Sequence, residues 1–161
     1  MNQSAESANQ VPRPVSAFHR SDKAGAFIRR HSHERDQLIY AIRGVMTIRT
    51  VDSMWIIPPS HGLWVPAHVP HSVKMDTDVE MRTLYFQSGI VAGAADACRV
   101  RAIPALLREL IVRAMKICPL YDLDGRDGRI MQVIIDEVGQ LESRPLSLRM
   151  PTDRRLLRLC H

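Results

Sequence analysis

Short apolar and β-branched runs separated by turn residues fill the first half of the chain. Runs of this length, repeated at regular spacing, are typical of the strands of a sandwich or small barrel. Glycine, proline and aspartate mark the turns between them. No long helix is predicted before residue 90. Strands are predicted at residues 26–30, 37–42, 45–51, 54–57, 71–75 and 81–86.

The pattern changes after Gly93, where apolar residues recur every three or four positions, as on one face of a helix. Helices are predicted at 102–118 and 127–142. Pro104 suits the first turn of the first helix, where its missing N–H is not needed. The two apolar stripes need a cover, either the barrel or the same helices of a second subunit, so a homodimer through them is expected. The stripes comprise Ile103, Leu106, Leu107, Leu110, Ile111 and Ala114, then Ile130, Ile134, Val138 and Leu141.

The two ends of the chain differ from the middle. Residues 1–15 are polar and lack a basic segment followed by an apolar core, which predicts a disordered tail, no signal peptide and a cytoplasmic protein. Residues 16–92 form the predicted barrel and 93–143 the predicted helical segment. Residues 144–161 are predicted to be a linker and the start of a third helix, capped by Thr152 or Asp153.

Composition narrows the picture only slightly. The 161 residues fit one domain, and with 45% apolar and 24% charged residues and no run long enough for a membrane span, a soluble protein is expected. The net charge of +5 is compatible with nucleic-acid contact, although a solvated surface explains most of it. Cys98, Cys118 and Cys160 form no CxxC pair, so free thiols are predicted.

The most specific pattern is a spacing of glycine, histidine and glutamine residues. Residues two apart on a strand point to one face, so both histidines of the pair are predicted to project into the barrel. Neutral imidazoles suit Zn, Ni, Fe or Mn. Gln37 could join them, and His71, on a later strand, could complete a metal site. The spacing runs through Gly25, His31, His33, Gln37 and Gly44.

A barrel pocket without metal, filled by water or an effector, is the alternative for the same residues. Besides His31, His33, Gln37 and His71, Tyr40 and Trp55 are predicted to contact such an effector. Packing is the favoured role of both tryptophans, Trp55 and Trp64. The remaining histidines are predicted to be surface or loop residues, namely His19, His61, His68 and His161.

The spacing from Gly25 to Gly44 resembles the first motif of the cupin superfamily, G(x)5HxH(x)3-4E(x)6G, with Gln37 at the glutamate position. An amide binds a divalent ion more weakly than a carboxylate, which makes catalysis less favoured. The second cupin motif, G(x)5PxG(x)2H(x)3N, is matched in part. Pro66 and His71 fit it, whereas Gly, Gly and Asn are replaced by Ser60, His68 and Met75.

Three longer segments resemble one branch of the AraC/XylS transcription regulators. Residues 31–48 resemble its "HxH…QLxYAxxGVMxV" segment, residues 55–73 its "WxxPPxxAxWxPxxxxHxV" segment, and residues 148–156 the "LPxPxDxRL" phrase that opens its DNA-binding region. The resemblance implies a mainly β cupin barrel, of the double-stranded β-helix or jelly-roll type, followed by two amphipathic helices. It also implies that the barrel senses a small molecule, that the helices dimerise, and that two later helix-turn-helix units read DNA.

Three functions are compatible with these features. The first is a non-enzymatic effector-sensing and dimerisation domain of an AraC-type regulator. On its own this chain would not read DNA, because 152–161 supplies no recognition helix. The second is a small cupin metalloenzyme of the isomerase or dioxygenase type, with His31, His33, His71 and Gln37 around its metal. The third is a purely structural dimerisation domain with a collapsed barrel.

Overall fold

The computed structural model describes residues 8–94, 96–144 and 148–149. Their regular elements are short strands followed mainly by two helices, as the hydrophobic pattern predicts. In chain order they are β1 (Val15–Asp22), β2 (Phe27–His31), β3 (Asp36–Arg43), β4 (Met46–Arg49), β5 (Ser53–Ile57), β6 (His61–Val65), β7 (His71–Met75), β8 (Val79–Phe86), β9 (Arg99–Ala102), α1 (Ala105–Ala114), α2 (Arg126–Gly139), β10 (Ser143–Arg144) and β11 (Leu148–Arg149).

The strands form two antiparallel sheets. The six-stranded sheet has the order β1-β8-β3-β6-β9-β10, and the five-stranded sheet has the order β11-β5-β4-β7-β2. One apolar cluster draws side chains from both sheets and therefore lies between them. It includes Ile39, Ile48, Trp55, Leu63, Val73 and Met75.

The two helices cover the outer face of the six-stranded sheet. A second apolar cluster joins Leu38 and Leu84 of that sheet to Leu107 of α1 and Ile134 of α2, all with no exposed surface. Successive residues of a strand point to opposite faces, so β3 packs against the helices through one face and against the barrel interior through the other. This double burial places the functional residues of β3 deep in the molecule.

All six predicted strands are present, and five further strands are not anticipated by the pattern, two of them the two-residue strands β10 and β11. β6 is a short apolar run flanked by proline-rich turns, and in the sequence such a run looks like part of a loop. β9 lies within the segment 93–143 predicted to be helical, and it pairs with β6. β1 begins at Val15 and pairs with β8 along its whole length. In each case pairing with a distant strand, rather than local pattern, determines the structure.

The predicted disordered tail, residues 1–15, differs from the structure over its described part. Ala8 and Val11 are buried, and the hydroxyl of Ser16 donates a hydrogen bond to the carbonyl of Ala8 at 2.5 Å. Small apolar residues among the polar ones anchor this segment to the barrel. Residues 1–7 and the predicted third helix at 152–161, with Cys160 and His161, lie outside the described residues.

Both helices are shorter than predicted. Ala102 still belongs to β9, and Pro104 is the extended N-cap of α1, with φ −64° and ψ 158°, instead of a first-turn residue. α2 begins at Arg126 and ends at Gly139, close to the predicted 127–142. The predicted stripe is buried at Leu107, whereas Leu106 is 56% exposed. Pro104 has no backbone N–H and keeps an extended conformation at the N-cap, and α1 begins at the next residue, Ala105.

Cys98 and Cys118 are free thiols, as predicted for the described cysteines. Burial raises the pKa of the Cys98 thiol to about 11. Neither helix of the described chain is long and apolar enough to cross a membrane.

Candidate ligand and metal site

The three clustered histidines come from two strands and a loop. β2 has a bulge between Ile28 and His31 and ends at His31, whose direct partner across the sheet is His71 of β7. His33 lies in the loop that follows, so the predicted single strand carrying both His31 and His33 is not found. The loop, and not strand alternation, brings His33 to the other two rings.

The three imidazole rings are in contact. Ring centroids are separated by 4.7 Å for His31 and His33, 4.5 Å for His31 and His71, and 5.5 Å for His33 and His71. One ligand nitrogen from each residue lies within 4.8 Å of the others. His33 also packs edge-on against Tyr85 at 5.0 Å. The predicted triad is thus assembled by the fold.

Backbone carbonyls orient two of the rings. Nδ1 of His31 lies 2.7 Å from the carbonyl oxygen of Arg29, and Nδ1 of His71 lies 3.0 Å from that of Val69. A carbonyl can only accept, so each Nδ1 donates and each Nε2 keeps a free lone pair. Nε2 of His71 and Nε2 of His33 are buried without a hydrogen-bond partner among the described residues. Carbonyl-oriented imidazoles of this kind are typical of metal ligands.

The environment keeps the buried imidazoles neutral at neutral pH. The pKa of His33 is lowered to about 4, first by burial and then by the charges of His31 and His71. The pKa of His71 is also lowered to about 4, chiefly by burial, with the Val69 hydrogen bond opposing it and His31 adding to it. The neutral form is the one that coordinates metal ions.

Gln37 reaches the same region from β3. Its amide nitrogen donates to the Thr83 hydroxyl at 3.0 Å, and that hydroxyl donates to the carbonyl of Leu38 at 3.1 Å. These two bonds fix which end of the amide faces Thr83. The amide oxygen of Gln37 is left buried without a partner in the described chain.

A cavity of about 50 Å³ lies beside these side chains. His31, Gln37 and His71 line it, together with residues that the sequence reasoning did not select. The additional polar ones are Arg20, Thr83 and Tyr85. Thr83 and Tyr85 share the face of β8 with Met81, so strand alternation could have grouped them, but nothing in the sequence shows that β8 lies next to β3.

Tyr40 and Trp55 do not line this cavity. Tyr40 packs with Leu38 and Trp64 in the cluster beneath the helices, because it lies on the opposite face of β3 from Gln37. Trp55 lies between the sheets, 5% exposed, within the apolar core. Packing, the favoured role of both tryptophans, is what the structure shows, and neither Tyr40 nor Trp55 is brought to the site.

None of the other described histidines adds its side chain to the cluster, although the backbone N–H of His68 donates a hydrogen bond to the carbonyl of His33 at 2.7 Å. His19 is exposed on β1, and a ring nitrogen of His61 is 2.8 Å from the Ser60 hydroxyl. His68 is exposed and has φ 63°, a left-handed conformation that favours glycine. The second cupin motif has glycine at this position, and glycine is the residue that adopts such a conformation most readily.

The cluster passes a chemical test for a transition-metal site. It offers three imidazole nitrogens within reach of one another, two of them buried and unpartnered. The orphaned amide oxygen of Gln37 borders the same cavity. Such nitrogen-rich donor sets suit Zn, Ni, Fe or Mn. The residues therefore fit the divalent ion that the cupin resemblance implies.

Comparison with known proteins identifies the family. The sequence model of the AraC-like ligand binding domain matches residues 13–150. The chain belongs to this family. Among curated proteins it is similar to the HTH-type transcriptional regulator NimR of Escherichia coli strain K12, with 29% identity over 118 residues. That match covers 73% of this chain and 43% of NimR, so the chain spans less than half of that relative.

Solved cupin structures are also similar to part of the chain. A cupin superfamily protein from Desulfitobacterium hafniense has 22% identity and a TM-score of 0.44, covering 45% of this chain and 67% of that one. An oxalate decarboxylase variant from Bacillus subtilis has 19% identity and a TM-score of 0.43, covering 48% and 22%. The AraC-type resemblance is confirmed by the family match, and the two antiparallel sheets followed by two helices confirm the predicted mainly β fold class.

Proposed function

We propose that this AraC-like ligand binding domain senses a small effector and dimerises as part of a transcription regulator. The observation that supports this is a set of buried polar atoms without partners among the described residues, located at the histidine cluster and the adjoining cavity. Leaving such an atom unsatisfied costs about 1–3 kcal/mol. The Nε2 atoms of His33 and His71 and the amide oxygen of Gln37 all bear this cost. A ligand that satisfies them would recover it, and the cavity also argues against the collapsed, purely structural barrel.

We further propose that His31, His33 and His71 hold a divalent transition ion, Zn, Ni, Fe or Mn, with Gln37 as a weaker ligand. The ion would supply a Lewis-acidic position to which an effector can coordinate. The residues of the chain would orient that effector, through the Thr83-anchored amide of Gln37 and the ring of Tyr85. Elemental analysis of the purified chain tests the ion.

A continuous set of hydrogen bonds connects the histidine loop to the helices. Arg35, two residues after His33, donates to the carbonyls of Val11 at 2.6 Å and Arg13 at 2.9 Å. Arg13 in turn donates to the carbonyl of Tyr121 at 2.6 Å, in the connection between α1 and α2. The tyrosine hydroxyl donates to the carbonyl of Val15 at 3.0 Å. A ligand that repositions the loop would therefore act on the helix pair.

Such coupling works by a shift of populations. An effector changes the arrangement of the helices only by the difference in its affinity for two arrangements. In the proposed regulator, the helices would then present two DNA-binding regions differently. DNA would be contacted by the longer protein, which would act in the cytoplasm.

The proposed homodimer uses α1 and α2. Their inner faces are covered by the barrel, and large apolar side chains remain on the outside, with Leu106 56% exposed and Val133 42% exposed. Exposed apolar side chains on adjacent helices favour association of identical subunits. Two copies would bury them against each other.

Sedimentation velocity tests the dimer. The wild-type chain is expected to be dimeric at micromolar concentration, and Leu106→Asp is expected to be monomeric. Val51→Asp is the matched control, since Val51 is as exposed, at 61%, but lies in the β4–β5 turn. A monomeric wild type, or equal effects of the two variants, would contradict the proposal.

A ligand screen tests sensing. The metal-loaded chain is screened by thermal unfolding against small molecules, and each hit is incubated with the chain and followed by NMR. Binding without conversion is the expected result.

The metalloenzyme alternative is supported by the same histidine triad. The result that would distinguish the enzyme is chemical conversion of a bound small molecule by the wild-type chain, together with loss of that conversion in His71→Leu. An isomerised or oxygenated product at catalytic stoichiometry would favour the enzyme over the sensor.

A further inference from the structure

The cavity lacks a negative charge of its own. None of the described residues that line it is an aspartate or glutamate. Arg20, which does line it, forms two 2.6 Å hydrogen bonds with Asp22, so these two charges balance each other. The lining is therefore close to electrically neutral.

The residue at the position of the cupin glutamate adds no charge either. Gln37 is held as a neutral acceptor by its bond to Thr83, at 3.0 Å. A divalent ion bound by three neutral imidazoles and an amide keeps both of its positive charges. An uncompensated charge in a largely buried site is costly. The site is complete only when a ligand supplies a negative charge.

The size and walls of the cavity restrict that ligand. A volume of about 50 Å³ holds roughly three to four water molecules. Besides the polar side chains already named, the walls include an apolar patch formed in part by Ile39, Val73 and Met81. A molecule with one anionic end and a short apolar tail matches both halves.

We infer that the effector of this site is a small monocarboxylate. Its carboxylate lies at the histidine cluster, and its aliphatic part packs against Ile39, Val73 and Met81. This inference rests on the proposed metal-assisted sensing, because it names the ligand class of the same site.

The test uses propionate as the probe and propionamide as its neutral counterpart of the same shape. The wild-type chain is loaded with Zn²⁺, its metal content is measured, and both probes are titrated by calorimetry. Propionate is expected to bind at least about tenfold more tightly than propionamide, because only propionate offsets the charge of the ion. The metal-free chain is expected to bind neither.

A charge substitution gives a second, independent measurement. Gln37→Glu places a carboxylate at the cluster and is expected to weaken propionate binding by about tenfold or more, while zinc binding is retained or strengthened. Ile56→Glu is the matched control, because it adds the same charge on the exposed side of β5 and is expected to leave propionate binding unchanged. Thermal unfolding establishes that both variants fold.

The outcomes separate the two proposals. Zinc binding with equal affinity for propionate and propionamide overturns the carboxylate inference and leaves the metal site intact. Equal propionate affinities for Gln37→Glu and Ile56→Glu overturn it as well. A wild-type chain that takes up no zinc overturns both the metal site and the inference. Should Gln37→Glu fail to fold, the comparison of the two probes on the wild type decides.

Discussion

The two faces of β3 have opposite physical characters. Toward the helices, Leu38 and Tyr40 join a fully buried apolar cluster. Toward the barrel interior, Gln37 borders a cavity in which buried nitrogen and oxygen atoms lack partners. One strand thus separates a mainly apolar packed region from a region in which the polar atoms of Gln37 and His71 border a cavity that a ligand could occupy. Substitutions on the two faces should therefore affect different measurements.

Truncation on the helix-facing side should have the largest effect on stability. Leu38→Ala removes a side chain with no exposed surface and is expected to lower the free energy of unfolding by about 2–5 kcal/mol. Urea unfolding measures it. Val51→Ala, an exposed control in the β4–β5 turn outside the proposed dimer interface, is expected to change stability by less than about 0.5 kcal/mol. If Leu38→Ala lowers the free energy of unfolding no more than the control does, the helix-facing side of β3 does not have the stabilising role described above.

Substitution on the cavity side should abolish binding while sparing the fold. His71→Leu removes one predicted ligand, and metal affinity is expected to fall by about 100-fold or more, since even outer partners of ligands contribute 10–100-fold. The stability of the metal-free chain is expected to change by about 1 kcal/mol or less, because removal of the unpartnered Nε2 offsets the loss of the Nδ1 hydrogen bond to the carbonyl of Val69. Zinc titration and urea unfolding measure the two. A stable variant with undiminished zinc affinity would exclude His71 as a ligand.

The hydrogen bonds of Tyr121, which link β1 to the connection between the helices, should contribute less to stability than Leu38 does. Tyr121→Phe removes the hydroxyl that bonds to both backbone groups of Val15, with distances of 3.0 and 3.3 Å. A stability loss of about 1 kcal/mol is expected. In the dimer, the variant should also weaken the dependence of association on metal loading, which sedimentation at two zinc concentrations detects. If association of the variant depends on metal loading as strongly as in the wild type, the hydrogen bonds of Tyr121 do not couple the metal site to the dimer.

The pH dependence of stability should come from the cavity side. Folding lowers the pKa values of His33 and His71 from 6.5 to about 4. Between these values the unfolded chain binds protons that the folded chain does not. The histidines' contribution to the free energy of unfolding is thus complete above pH 6.5 and declines as the pH falls toward 4. Urea midpoints of the metal-free chain at pH 7 and 5 should differ more for wild type than for His71→Leu. If the urea midpoint changes equally in wild type and in His71→Leu, then His71 does not contribute to the pH dependence of stability.

The same strand shows how far sequence reasoning reaches. The run at 37–42 predicts β3 correctly, and period-two alternation separates Gln37 from Leu38. It does not tell which face meets the cavity, because residues 36–41 are buried on both sides and the usual contrast of apolar and polar faces is lost. The sequence therefore predicts a pocket contact for Tyr40, whereas in the structure this residue packs beneath the helices.

The cavity residues contributed by β1 and β8 were missed for a related reason. Thr83 and Arg20 have no distinguishing local motif, and they become cavity residues only because β8 lies between β1 and β3. Strand order is a property of long-range pairing. A single sequence gives the alternation along each strand but not its neighbours.

By itself, the sequence determined the kinds of donor groups, their spacing, the turn at Gly44 and the helix stripes, because these depend on residue chemistry and local periodicity. At Gly44, φ is 87° and a Cβ would collide with the carbonyl oxygen of Asp78, so glycine is required there. Only the tertiary structure decided that His33 meets the site from a loop, that His71 stands opposite His31, and that no carboxylate of the described residues lines the cavity beside them. Those relations depend on strand pairing and loop closure between segments that are distant in the sequence. The free energy of such long-range contacts cannot be read from any single segment.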